Sequence, residues 1–326
     1  MTHHTRSLMA HAAALALFAG PVLASDRADW PASLTIGTAD QGGVYAVYGN
    51  GLAAYISEEL GISAAGIVTG GPVQNATLVQ MGEHDIGLVT LGPMFEAWTG
   101  DSDLAPGRPH TDVRALFPMY ETPFHGIALC SQMIDSVGDL DGKNVSVGPA
   151  GGTPGTYWPR IFDSLEIGAT LSFAGPVDAA EQLKDGQIDA FVFAAGLPLD
   201  AVAQLSVDAD VCTFAFDPEE HAAVLDAFPE MSDFTIPAGT YSVQGADEAA
   251  VSMWSFAVVH ADMPESLAYE ITRLVMEDNA RMRQIHAAAA DTLPENAVTN
   301  SFLPFHPGAV RWFEENGFEI DPDLRG

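Results

Sequence analysis

Positive charge is scarce in this chain. Lysine and arginine together number 12 against 44 acidic residues, and only two of the twelve, Lys143 and Lys184, are lysines. A formal charge of −32 excludes nucleic acid as a partner, because phosphate binding needs a basic surface that releases counterions. The acids are scattered along the chain and form no tail, so they read as a solvated acidic surface in preference to a trap for cations. Cysteine is nearly absent too. Cys130 and Cys212 are the only two, with no CxxC spacing, so redox and zinc motifs are excluded. Both lie in apolar surroundings; a bridge is open, and the sequence favours two buried free thiols. Histidines stand outside metal-ligand spacings, and HExxH, EF-hand, GxSxG and GxxxxGK[ST] patterns are missing. The expectation is therefore no metal, no cofactor and no catalytic residue.

Long hydrophobic runs are also few. The one near the start has the order of an export signal: Arg6, an apolar stretch from Leu8 to Gly20, then Pro21-Val22-Leu23-Ala24. Small residues before position 25 place cleavage after Ala24, so 1–24 is expected to be a signal peptide and the mature chain periplasmic. The remainder is 48% hydrophobic in the full count, a globular composition, and long enough for two lobes.

What is present is an α/β rhythm. A strand at Leu34–Gly37 runs into a glycine-rich turn, and a helix from Val44 to Leu60 stops at Gly61. A strand at Gly66–Thr69, a helix from Val73 to Met81 and a strand at Asp85–Val89 follow. The same plan recurs: strand at Asn144–Val147, glycine-rich turn, helix from Tyr157 to Leu165, weak strand at Thr170–Phe173, helix from Val177 to Leu183, strand at Asp189–Phe193. Gly82-Glu83-His84-Asp85 and Gly186-Gln187-Ile188-Asp189 mark equivalent points of the two copies. Later come an apolar strand at Val251–Val259 and a long amphipathic helix opened by Pro264-Glu265 and carrying Leu267, Ile271, Leu274, Val275, Met282 and Ile285 on one face. A last helix starts at Pro307-Gly308 and ends at Asn316-Gly317. Two similar lobes are expected, each a mostly parallel sheet flanked by helices, with crossing segments near Pro118–Thr122 and Gly245–Val251.

In open α/β sheets, ligands bind beyond the carboxyl ends of the strands. Three loops sit there: Gly37–Tyr45, Gly70–Asn75 and Gly148–Thr156. Glycine lets backbone approach, threonine adds hydroxyls, and the unpaired N–H groups at a helix start favour an anion. Arg160, the basic residue nearest a glycine loop, reads as a surface residue. Tyr157 and Trp158 read equally as an aromatic wall or as core.

The run from Leu34 to Gly51, with GGVY and then LAAYI, resembles the opening of TAXI-type solute receptors of TRAP transporters. So do GGPVQNATLVQMGEHDIGLV, DLDGKNVSVGPAGGTPGT, LKDGQIDAFVFAAGLP, IPAGTY and FHPGAVRWFEENG, in family order over nearly all of the mature chain. The resemblance implies two hinged α/β lobes of the periplasmic-binding-protein type, residues 25–120 with 246–326 and residues 121–245. They would close on a small organic anion, a glutamate-like amino acid or a dicarboxylate, and present it to membrane permease subunits. It places Thr38, Gly42, Gly43, Val44 and Tyr45 in the cleft, with Gln74, Asn75 and Thr90. From the second lobe it adds Gly151, Gly152, Thr153, Thr156, Ala195 and Gly196. On this reading Asn75 and Thr153 face each other. Two departures stand out: Pro72 where relatives carry serine, and Thr90-Leu91-Gly92-Pro93 where many carry Gln-Ser-Asp. A monomer is expected. A periplasmic sensor, or an enzyme on the same bilobed plan, is the alternative.

Overall fold

The computed structural model describes residues 27–326, so the expected signal peptide and its cleavage point lie outside the described residues. The first unit is β1 (Ser33–Gly37), α1 (Val44–Leu60), β2 (Ser63–Ile67), α2 (Pro72–Gln80) and β3 (Ile86–Thr90). α1 forms because Val44, Tyr48, Leu52, Ile56 and Leu60 recur every four residues and are buried as one stripe. It stops where Gly61 takes a left-handed φ of 71° that a side chain would resist. β1 pairs in parallel with both β2 and β3. The second unit repeats this: β5 (Asn144–Ser146) lies between β6 (Thr170–Ser172) and β7 (Ala190–Ala194), parallel to both. Its helices are α4 (Thr153–Ser164) and α5 (Pro176–Lys184).

Two long antiparallel strands join the units. β4 (Val113–Leu129) pairs with β10 (Glu248–His260) as far as Pro123, then with β7 from Phe124 onward. β10 pairs with β9 (Ser232–Ile236) over its first residues and with β3 over its last. The sheet order is therefore β2-β1-β3-β10-β4-β7-β5-β6, with β8 (Val211–Phe214) on β4. The chain crosses between the halves along β4 and returns along β10. β4 is invisible to a strand search because Pro118 and Pro123 interrupt it, and proline removes a ladder donor. The strand tolerates both: register shifts in β10 flank the Pro118 pairing, and Pro123 sits where β4 changes partner.

The remaining α-helices are α3 (Leu91–Thr99), α6 (Asp200–Asp208), α7 (Pro218–Ala227), α8 (Glu265–Glu277), α9 (Asn279–Ile285) and α10 (Pro307–Glu315). The single long helix expected after Pro264 is in fact α8 and α9. Asp278 breaks it with ψ of 65°, and its carboxylate accepts the Arg281 N–H at 2.9 Å to start the next helix. α4 begins four residues before the expected Tyr157, since Pro154 occupies the second helical position, where no N–H is needed.

Tyr157 and Trp158 belong to the core. Trp158 is fully buried, donates to the Phe193 carbonyl at 3.1 Å and stacks on Phe216. The preference for free thiols is corrected: Cys130, just past β4, and Cys212, on β8, form a disulfide. The antiparallel register sets Ala128 opposite Cys212 and brings the two sulfurs together, and Cys212 is exposed, not buried. Among the described residues no helix is long and apolar enough to cross a membrane.

Candidate ligand-binding cleft

Four helices begin at the boundary between the two units, each after a glycine: α1 after Gly43, α2 after Gly71, α4 after Gly152 and α5 after Gly175. None of the four has a side-chain cap. Their first N–H groups lack intrahelical partners, and the helix dipole makes these ends electropositive. Proline trims the donor count, standing first in α2 and α5 and second in α4. These starts line a cavity of about 50 Å³ whose floor is made by Thr90, Tyr120, Thr122 and the end of β7 with the two residues after it, Phe193 to Gly196.

The walls meet around it. Thr90 Oγ1 lies 2.6 Å from Thr153 Oγ1, one hydroxyl from each unit. A methyl group at Gly151 would stand 2.6 Å from the Gly70 carbonyl oxygen, so only glycine permits this backbone approach. Outside the cavity, Arg160 of α4 pairs with Glu96 of α3, and the Tyr157 hydroxyl donates to the same carboxylate at 3.1 Å. Arg160 is thus half-exposed, as a surface residue should be, but it is tied across the boundary.

Of the residues singled out in the sequence, Gly43, Val44, Tyr45, Thr90, Gly152, Thr153, Ala195 and Gly196 line the cavity. The other six do not. Thr38 is buried and donates to the Ile67 carbonyl at 2.9 Å. Asn75 is fully buried under the sheet: its amide donates to the Thr38 and Leu88 carbonyls, each at 2.7 Å, and its carbonyl accepts from Thr69 Oγ1 at 2.7 Å. With every polar atom engaged it does not face Thr153; Thr90 does. Gln74 accepts the Gly70 N–H, Thr156 bonds the Gly152 carbonyl, Gly151 packs on Gly70, and Gly42 faces Val177.

The sequence missed Asp40, Tyr120 and four wall prolines, Pro72, Pro149, Pro154 and Pro176. Asp40 lies in the Gly37–Tyr45 loop, and a lone acid among glycines was the available signal; Tyr120 was hidden with β4. Asp40 makes no side-chain hydrogen bond or salt bridge with any described residue, and burial, followed by the Asp178 carboxylate, raises its pKa. Tyr120 is 1% exposed and its hydroxyl has no partner among the described residues. Burial first, then the neighbouring Tyr45 and Tyr48, push its pKa well up, so it is a neutral donor. Tyr45, also pushed up by burial, is by contrast satisfied, at 2.8 Å from Ser255 Oγ, which in turn lies 2.8 Å from Thr122 Oγ1. No lysine, arginine, histidine or cysteine lines the cavity among the described residues, nor does any group of three His, Cys, Asp or Glu stand together as metal ligands would.

Two parallel α/β units, joined by crossing strands and enclosing a cavity at their strand ends, define the periplasmic-binding-protein-like class. The chain belongs to the NMT1-like family, whose model matches residues 36–317. A structure described as a periplasmic transporter superposes with a TM-score of 0.54 at 14% identity, covering 81% of this chain and 88% of that one. A GluR0 ligand-binding core with L-glutamate gives 0.49 at 14% identity, over 81% and 99% of the two chains. A cysteine-binding protein from Campylobacter jejuni gives 0.48 at 15%, over 80% and 89%. At such identities the likeness concerns the fold.

Proposed function

We propose that this chain is an extracytoplasmic solute-binding protein. It captures a small organic acid or amino acid between two lobes and hands it to the membrane subunits of a TRAP transporter, as its resemblance to TAXI-type receptors implies. The lobes are residues 25–120 with 246–326, and residues 121–245, hinged where β4 and β10 cross. The observation that supports this best is one cavity walled by uncapped helix starts from both units. Such ends hold a carboxylate through N–H groups and partial positive charge, and closure around it strengthens each bond by excluding water. On this reading the protein acts as a monomeric receptor, and among the described residues the cavity walls carry threonines, tyrosines and one carboxylate.

The test joins native mass spectrometry of freshly isolated protein to a thermal-shift screen of organic acids and amino acids. A ligand at 100 times its Kd should add about 2.7 kcal/mol of stability, and small-angle scattering should then show a smaller particle. A protein that retains no solute and responds to none overturns the reading. For the partner, uptake into liposomes holding the cognate TRAP permease must require this chain.

A further inference from the structure

We propose that the cleft selects a small amino acid with an apolar side chain, its ammonium at Asp40 and its carboxylate at the Tyr120 hydroxyl and the α1 and α4 starts. This rests on the solute-binding reading and narrows it away from glutamate-like and dicarboxylate ligands.

The cavity holds two unanswered polar groups of opposite character. Tyr120 is a buried hydroxyl with no partner, on the cavity floor beside Gly196. A buried polar group without a hydrogen bond is costly, so it is accounted for by a ligand acceptor. Tyr45 and Thr122 share the floor but already satisfy each other through Ser255, which leaves Tyr120 as the free donor there. The uncapped amides of α1 and α4 and the Thr90–Thr153 hydroxyl pair point to the same kind of guest, an oxyanion.

Asp40 makes the opposite demand. Among the described residues it is the one charged side chain on the cavity wall and its carboxylate has neither hydrogen bond nor ion pair, while Asp178 across the boundary adds negative potential. That corner suits a cation and repels a second carboxylate. Arg160, on the helix α4 whose start walls the cavity, is committed to Glu96 outside it and is not free to neutralise a second carboxylate. A dicarboxylate would thus enclose one charge without a counter-charge, which an enclosed apolar site does not tolerate. A zwitterion leaves nothing unpaired. The rest of the wall is apolar: Pro72, Pro149, Pro154, Pro176, Phe193 and Val44. Prolines at the first position of α2 and of α5 also withhold amides that a second carboxylate would use.

Calorimetry on the full mature chain, stripped of bound solute by unfolding and refolding, decides this with four probes. They are L-valine, L-glutamate, 3-methylbutanoate (valine without its amine) and isobutylamine (valine without its carboxylate). L-valine should bind about tenfold or more tighter than each of the other three. Asp40→Asn should cost valine about tenfold while leaving 3-methylbutanoate unchanged, and Tyr120→Phe should weaken both acids about tenfold. Because the Tyr120 hydroxyl has no partner in the free protein, Tyr120→Phe should not lower the Tm, which separates a ligand contact from a structural one. Tighter binding of glutamate than valine, improved further by Asp40→Asn, overturns the proposal and leaves solute capture standing. So does a retained solute lacking either an ammonium or a carboxylate. Failure of all four probes together with no retained solute overturns both.

Discussion

The two units are built on one plan and held together by different chemistry. In each, a glycine at positive φ ends the second helix, Gly82 at 68° and Gly186 at 69°. The aspartate three residues on then pins the first strand: Asp85 Oδ2 accepts the Thr35 N–H at 2.7 Å, and Asp189 Oδ2 accepts the Asn144 N–H at 2.8 Å. Helix starts match as well, Gly43 with Gly152 and Gly71-Pro72 with Gly175-Pro176. Beneath the strands they part. The first unit has a buried polar knot of Thr38, Thr69 and Asn75. Counted from the shared glycines, the same places in the second unit hold Val147, Phe173 and Ala179. What ties the second unit is a disulfide and an aromatic cluster about Trp158. A shared backbone plan thus needs only glycine and aspartate at a few positions; the packing under it is free to diverge.

The largest expected effect comes from cutting the tie of the second unit. Cys130 and Cys212 close a loop with a sequence separation of 82. Converting both to alanine should cost about 4 kcal/mol, because the open chain regains loop entropy in the unfolded state. Denaturant titration of the variant and of reduced wild type should agree. Hydrogen exchange should rise in β7 and β8 before it rises in β1 and β3. Equal loosening of both units would break the comparison.

Asn75→Ala is the matching test of the first unit, with a loss of about 3 kcal/mol, since the Thr38 and Leu88 carbonyls and the Thr69 hydroxyl all lose a partner in a dry site. Here exchange should rise first in β1 and β3. Thr69→Val added to Asn75→Ala should cost less than Thr69→Val alone, since the two share one bond, but still about 1 kcal/mol, because Thr69 Oγ1 also meets the Thr38 carbonyl at 2.9 Å and accepts the Gly71 N–H at 3.1 Å. If Asn75→Ala proved silent in stability yet abolished ligand binding, the residue would be a ligand contact after all, as the sequence resemblance implied.

That reversal for Asn75 shows how far the sequence could be read. Glycine stops, capping prolines and the repeated Gly-x-x-Asp pattern are local signals, and the elements they bound were legible. Helix α1 was expected from Val44 to Leu60 and lies there. Three things were not legible, each for a non-local reason. β4 is a strand despite two prolines because bulges and a change of partner absorb them. The disulfide depends on antiparallel register between segments far apart in sequence. Within the glycine loops, residue type could not tell a polar side chain aimed at the cavity from one turned under the sheet. Thr153 and Thr38 follow similar glycine-bearing strands, yet only the first lines the cavity. Tyr120 carried no motif, and Asp40 only the weak signal of a lone acid in a glycine loop; the cavity brings both forward.

The smallest expected effect tests the contact between the units. Arg160 pairs with Glu96, with a second contact from Nη2 to Oε2 at 3.3 Å, and Tyr157 donates to the same carboxylate. Glu96 is 18% exposed and Arg160 39%, so water screens the guanidinium side and the pair is worth below about 1 kcal/mol. Its importance lies in position, since it joins α3 of one unit to α4 of the other and stabilises only the state in which the walls meet. Glu96→Gln keeps an acceptor for Tyr157 and removes the charge. It should leave the stability of each unit unchanged and weaken ligand binding about two- to fivefold, because a smaller share of free protein is in the closed state. Wild-type affinity should fall between about 0.05 M and about 0.5 M salt, and the variant should lose most of that dependence. Small-angle scattering of the ligand-free variant should show a slightly larger particle. An affinity and salt response identical to wild type would reduce the pair to an ordinary surface contact and leave the Thr90–Thr153 hydroxyls and the Gly70–Gly151 backbone approach to hold the walls together.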